Sequence, residues 1–255
     1  MWKEALGLDF EFKDRYDIDD LCEIMKILRS DNGCPWDKVQ THSSIRKDFI
    51  EECYEAVEAI DADDPAMMRE ELGDVLLQVV FHCRIEEEKN NFTFGDAVND
   101  VCEKLIVRHP HVFGTTEVGS TDEVLKNWEA VKQHTKGQTK KSESLESVCG
   151  ALPALMRAQK LCSRAKRAGA VPAGNDELIR KISVQAEALK ESASGEIIGR
   201  LMFLISELAW NMDIDAEECL TRSSDRFVDS FKEAEEKLEG EGKTIDSLAI
   251  YDLDA

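Results

Sequence analysis

Five carboxylates in two short clusters, Glu51, Glu52 and Glu55 and then Glu71 and Asp74, are the side chains of this chain best placed to do chemistry. Each cluster lies in a stretch whose apolar spacing predicts a helix. At about 100° per residue, Glu51 and Glu55 fall about 40° apart and Glu52 about 60° from Glu55. Glu71 and Asp74 are again separated by about 60°. Like charges on so narrow an arc repel, so the arrangement favours the folded state only when cations sit between them. A ligand set made of oxygens alone selects hard divalent ions, Mg²⁺ first, and protein-bound Mg²⁺ is commonly shared with a phosphate-bearing substrate.

In a chain with 53 acidic residues, an acidic pair on a helix is often only a solvated face. The second stretch argues for more. From Glu71 to His82 the sequence is apolar nearly all round, the mark of a buried helix, and its exceptions are Glu71, Asp74, Gln78 and His82. These four project within about 80° of one another. A polar stripe on an otherwise buried helix faces a cleft or a bundle interior, where unpaired carboxylates cost several kcal/mol. His82 shares the stripe, but a single helical histidine is more commonly a hydrogen-bonding residue than a ligand.

The elements that must position these groups follow from local signals. A first helix is expected over about 19–29, stopped by Asn32-Gly33. The segment Gly33-Cys34-Pro35-Trp36-Asp37-Lys38 cannot be helical throughout. The first acidic cluster rides a helix opening near Thr41–Ser44 and ending near Ile60. Asp64-Pro65 supplies an N-cap with proline at the first helical position, starting a helix that runs to about Lys89. Thr93-Phe94-Gly95-Asp96 forms a capping box for the next, which ends at His109-Pro110. Thr121–Lys132 and four further stretches beyond Leu152 are helical in period, while 133–147 is polar and weakly periodic and reads as a linker.

The second half reads as a worn copy of the first. When Gly199 is laid on Gly73, Arg200 stands where Asp74 stood and Ile197 where Glu71 stood. Val184–Ala188 falls opposite Glu51–Glu55 with no acid at any equivalent position. Apolar residues are kept and charges lost, so this half is not expected to bind metal.

Bulk properties bound the rest. The 255 residues carry 33% charged and 42% hydrophobic residues with only 14 Gly and 5 Pro, an all-α composition with enough chain for two domains. A net charge of −21 argues against a nucleic-acid or anionic-membrane surface. The eight cysteines form no C-x-x-C pair and mostly occupy apolar helical positions, as reduced core thiols do; with no hydrophobic signal core and no run long enough to span a bilayer, a cytoplasmic protein is expected.

E-E-x-x-E, fifteen residues, then E-x-x-D resembles the signature of MazG-type nucleoside triphosphate pyrophosphohydrolases. Gly33–Asp37, Gln40-Thr41-His42, Arg108-His109-Pro110-His111-Val112-Phe113, Trp128-Glu129 with Lys132, and Leu152–Lys160 resemble the same family. The resemblance implies two tandem four-helix-bundle-type domains. The intact catalytic one spans 1–135, a linker 136–150, and a degenerate one 151–255. It also implies homodimers that use Mg²⁺ to hydrolyse NTPs and dNTPs to the monophosphate and pyrophosphate, in nucleotide pool clean-up. Carried over by position, Glu52, Glu55, Glu71 and Asp74 would be the Mg²⁺ ligands, and Glu51 a further ligand or the group orienting water. Arg108, Lys132 and Lys38 would neutralise phosphates, and Trp36 would stack on or beside the base. His109 and His111 would fix the chain's exit from the helix.

Two departures stand out. Many relatives carry two arginines before His-Pro-His, whereas Val107 precedes a single Arg108 here, and the second acidic set is gone. The alternative function is therefore a non-enzymatic, nucleotide-sensing or regulatory dimer. A di-iron carboxylate bundle is disfavoured, because Glu51-x-x-Tyr54, Glu55-x-x-Glu58 and Glu71-x-x-Asp74 supply none of the Glu-x-x-His pairs that class requires.

Overall fold

The computed structural model describes residues 10–121, 123–124, 127–128, 131, 140–192, 194–242 and 244. Every regular element among them is a helix. The chain divides into two compact units, Met1–Trp128 and Glu129–Ala255.

The first unit is built on α1 (Ile18–Leu28), α3 (Arg46–Asp61), α4 (Pro65–Glu88) and α5 (Phe94–Arg108), with two short helices, α2 (Pro35–Val39) and α6 (Pro110–Phe113). Local chemistry sets the ends. Asp17 and Thr93 form capping boxes with Asp20 and Asp96, and the Asp64 carboxylate accepts from the N–H groups of Ala66 and Met67 ahead of Pro65. Helix α3 closes with Asp63 in the left-handed region (φ 51°), the Asp64 N–H reaching back to the carbonyl of Ala59. So short a connection makes α3 and α4 antiparallel neighbours, and they form the main packing pair of the unit. Helix α1 packs on α4 as well, and α5 lies against it more lightly. After α1, a Cβ on residue 33 would lie 2.3 Å from the carbonyl oxygens of Ile27 and Leu28, so only glycine lets the chain turn back toward α2.

The core of this unit gathers Met25 of α1, Ile45 of the link before α3, and Val80, Phe81 and Ile85 of α4, with Leu21, Leu28 and Leu77 around them. All three α4 members lie in its second half, which leaves the first half to carry the acidic residues. The expectation that α4 is buried nearly all round holds only in part. Gln78 is buried, whereas Leu72 and Leu76 are exposed, 51% and 39%. They are joined by Ile50, Tyr54, Val57 and Ile60 of α3 and by Val98, Val101, Leu105, Ile106 and Val107 of α5. Periodicity records that a face is apolar, not that the same chain covers it.

The second unit repeats the scheme with α8 (Ala154–Arg167), α9 (Asn175–Glu191), α10 (Gly195–Asn211) and α11 (Ala216–Gly240). Here α10 packs chiefly on α9, then on α8, and more lightly on α11, the same order of partners that α4 has. Within the stretch that reads as a linker, Lys141–Glu146 forms the short helix α7, which packs on α8 and buries Ser144. The cysteines are free and less sheltered than expected. Cys83 is buried and Cys22, Cys34 and Cys162 are half-buried, but Cys53, Cys102, Cys149 and Cys219 are exposed. No described helix is long and apolar enough to cross a membrane.

Candidate functional site

The antiparallel α3–α4 pair turns the two acidic clusters toward one another. Glu52 and Glu55 of α3 and Glu71 of α4 each offer a carboxylate oxygen, and the three oxygens lie within 4.8 Å of one another. Among the described residues this is the one such group of His, Cys, Asp or Glu side chains that could hold a metal ion. Burial pushes the Glu52 carboxyl above its ordinary range, and the charges of Asp74 and Glu55 push it further. Glu71 is raised in the same way, by burial first and then by Glu55, Glu70 and Asp74. Asp74 thus stands beside the trio rather than in it, close enough for its charge to be felt by both α3 and α4 members. Glu51 is exposed and outside the group.

One turn beyond Asp74 on the same stripe, the buried Gln78 side chain has an Oε1 that meets no hydrogen-bond donor of the protein. Another turn on, His82 lies beside His42 from the link between α2 and α3, with Phe49 of α3 edge-on to its ring at 5.6 Å. The α3–α4 seam is therefore acidic at one end, and carries imidazole and aromatic rings at the other.

The expected cationic and aromatic groups lie on other elements, α2 and the end of α5. Trp36 is 57% exposed on α2. Lys38, on the same short helix, is paired with Asp31 at 2.7 Å. Arg108, in the last turn of α5, holds its guanidinium over the Trp128 ring, 5.3 Å from the centroid. His109 meets that ring edge-on at 4.8 Å and donates from Nδ1 to the Leu105 carbonyl at 2.6 Å. Nδ1 of His111 is buried without a partner. Lys132 lies outside the described residues.

The sequence assigns no role to two anchoring residues, Arg29 without any signal and His42 only as part of the Gln40-Thr41-His42 block. Arg29, its side chain only 5% exposed, donates from Nε and Nη2 to the two oxygens of Glu88 (3.0 and 2.8 Å). Its Nη1 donates to the carbonyls of Asp37 and Gln40 at the end of α2 (2.6 and 3.2 Å). His42 bridges His82 and Glu86. Both tie the α2 segment to the far end of α4.

A helical bundle with converging carboxylates in the cleft between two antiparallel helices defines an all-α protein equipped to hold a hard divalent cation. The family model of the MazG nucleotide pyrophosphohydrolase domain matches residues 40–113, which contain both acidic clusters and Arg108. The chain is 40% identical over 241 residues to the nucleoside triphosphate pyrophosphohydrolase/pyrophosphatase MazG of Thermotoga maritima, covering 93% of this chain and 92% of that protein. It is 35% identical over 247 residues to the nucleoside triphosphate pyrophosphohydrolase of Escherichia coli K12, with 93% and 94% covered. Bacillus subtilis YabN, an uncharacterized protein, is 39% identical over 239 residues, which are 91% of this chain and 49% of YabN. This chain belongs to the MazG family.

Proposed function

We propose that the first unit hydrolyses nucleoside triphosphates, NTPs or dNTPs, to the monophosphate and pyrophosphate with Mg²⁺, in nucleotide pool clean-up. The observation that carries this reading is the convergence of Glu52, Glu55 and Glu71 within 4.8 Å, with burial and mutual repulsion raising Glu52 and Glu71. The donor set fits the metal. It is all oxygen, it is partly desolvated, and its stored repulsion is what a divalent cation would relieve. Asp74 completes the ligand set, and the names of the relatives supply the substrate class.

With Mg²⁺ in place the site would gain Lewis-acid polarisation of phosphoryl oxygens and a more acidic water. The protein's own groups do the rest. Glu52, Glu55, Glu71 and Asp74 would hold the cation, and the exposed Glu51 would orient the attacking water and take its proton. Arg108 offsets charge on the departing pyrophosphate, fixed in place by the Trp128 face beneath it. Lys38 and Lys132 add positive charge, and Trp36 offers an open indole face for the base.

The second unit is read as a degenerate repeat. It keeps the packing order of the first, and no carboxylate group of the same kind forms among its described residues. The apolar residues that α3, α4 and α5 expose are read as the seam of a homodimer. Incubating the purified protein with Mg²⁺ and a panel of NTPs and dNTPs, and following pyrophosphate, tests the activity. Turnover that vanishes in Glu52→Gln supports it; no turnover above that control leaves only nucleotide binding.

A further inference from the structure

His42 and His82 make a contact whose survival depends on how many protons the pair carries. Their Nδ1 atoms lie 2.7 Å apart and their rings are nearly parallel, with centroids at 5.0 Å. Nε2 of His42 lies 2.5 Å from Glu86 Oε1. Glu86 also accepts from Lys89 at 2.7 Å and Asn91 at 2.6 Å, and these bonds hold its carboxyl down at about 2, so it is an acceptor throughout the neutral range. His42 must then donate from Nε2, and one proton must lie between the two Nδ1 atoms. With two protons on the pair, His82 donates to His42. A third proton leaves one imidazolium and keeps the contact. A fourth puts two N–H groups head to head between two cations, and the contact must break.

The groups facing the pair are few. Glu86 comes from α4, Lys89 and Asn91 follow it, and Phe49 comes from α3. Burial first, and then His42, hold the protonation of His82 below the ordinary histidine range. No other charge enters that balance.

What the contact holds is the α2 segment. Helix α2 has five residues and no side-chain N-cap, too little to fix itself. Arg29 pins its end through the Asp37 and Gln40 carbonyls, and His42 pins the chain two residues later. Trp36 and Lys38 sit on the length so held. We propose that His42 and His82 form a one-proton latch whose closed state positions α2, with Trp36 and Lys38, for the nucleotide. This rests on the reading of the first unit as the hydrolytic site. Both histidines are positioning residues; double protonation opens the latch and weakens substrate binding while the carboxylate site stays intact.

The test combines three measurements on the full chain. The first is a histidine-selective NMR titration, which follows all five imidazoles. His42 and His82 should titrate as a coupled pair, the last proton entering well below the ordinary value of about 6.5. Independent titration of both near that value overturns the latch. The second is the affinity of an imido-linked NTP with Mg²⁺ between pH 7 and 5. The parent should bind more weakly in acid, and His82→Asn, whose amide can donate to His42 and does not titrate, should remove that weakening. His82→Phe should bind about tenfold more weakly than the parent at pH 7 and keep that affinity across the range, the parent falling toward it in acid. An Asn variant that weakens with acid as the parent does, or a folded Phe variant that binds as the parent does, overturns the positioning role. The third, pyrophosphate release, should show KM following these affinities with kcat changed less than about twofold. Absent turnover with intact coupling and analogue binding would sink the hydrolytic reading and leave the latch standing.

Discussion

Glu55 on α3 and Glu71 on α4 bring carboxylate oxygens within 4.8 Å of each other, with Glu52 in the same space. The two helices are forced into this apposition by a three-residue turn and by the core beneath the second half of α4. The fold therefore holds an electrostatic conflict in place. A cation resolves it, and so does a proton.

The first consequence concerns stability without metal. Glu71 is raised in the folded state, so between its unfolded value near 4.5 and its folded value the native protein binds more protons than the unfolded chain. Its contribution to stability is then favourable at low pH and lost as pH rises through that window. His82 is lowered and acts oppositely, favouring the native state as pH rises toward about 6.5, so raw melting curves mix the two. The difference between the parent and Glu71→Gln isolates the first. In chelator, Glu71→Gln should melt near the parent at pH 4 and above it at pH 7, by calorimetry. A gap that stays constant with pH would show that the carboxylate is not under strain.

Activity and stability should separate at the same positions. Outer-shell changes around a metal commonly cost about 10–100-fold, so Glu52→Gln, Glu55→Gln and Asp74→Asn should each lower kcat/KM by more than about 10²-fold. Their metal-free melting temperatures should match or exceed the parent's, because each removes a like charge from the cluster. Added Mg²⁺ should raise the melting temperature of the parent and not of the variants. A marked fall in metal-free melting temperature would assign these side chains to packing.

The starts of α4 and α5 and the convergence of Glu52, Glu55 and Glu71 were legible because their chemistry is local, whereas α3 begins at Arg46, after the expected Thr41–Ser44. Asp64-Pro65, the Thr93–Asp96 box and the i,i+3 and i,i+4 carboxylates are all decided within one or two turns. His82 could be placed on the polar stripe, but not given its partner. His42 lies 40 residues away, in a link whose path depends on Gly33, Arg29 and the core. The exposure of Leu72 and Leu76 was hidden for a related reason, since an apolar position is written the same way whether its own chain or another copy covers it.

That open face gives a prediction about assembly. Leu105 and Ile106 are 42% and 50% exposed, on α5, which packs only lightly against α4. Charge there should cost little in an isolated chain and much in a dimer. Light scattering should find a dimer for the parent and monomer for Leu105→Lys with Ile106→Glu. A parent that runs as a monomer would remove the dimer from the reading.

Arg29 offers a test of how the α2 segment is held. Its guanidinium spans the Glu88 carboxylate and two backbone carbonyls at once, and also lies over the Phe81 ring at 5.2 Å. The fork geometry matters as much as the charge, because an ammonium cannot reach both sides. Arg29→Ala leaves Glu88 only its contact with Arg84 and two carbonyls without this donor, and should cost about 3 kcal/mol in urea unfolding. Arg29→Lys should recover the part owed to charge and not the part owed to the bridge, falling about midway. Glu88 is held below the usual carboxylate range chiefly by Arg29, so its stabilisation is present above about 4.5 and lost as pH falls through the lowered value. The stability difference between parent and Arg29→Ala should therefore shrink on acidification below that point. A difference independent of pH would mean that Arg29 acts through packing on Phe81 rather than through its bridge to Glu88.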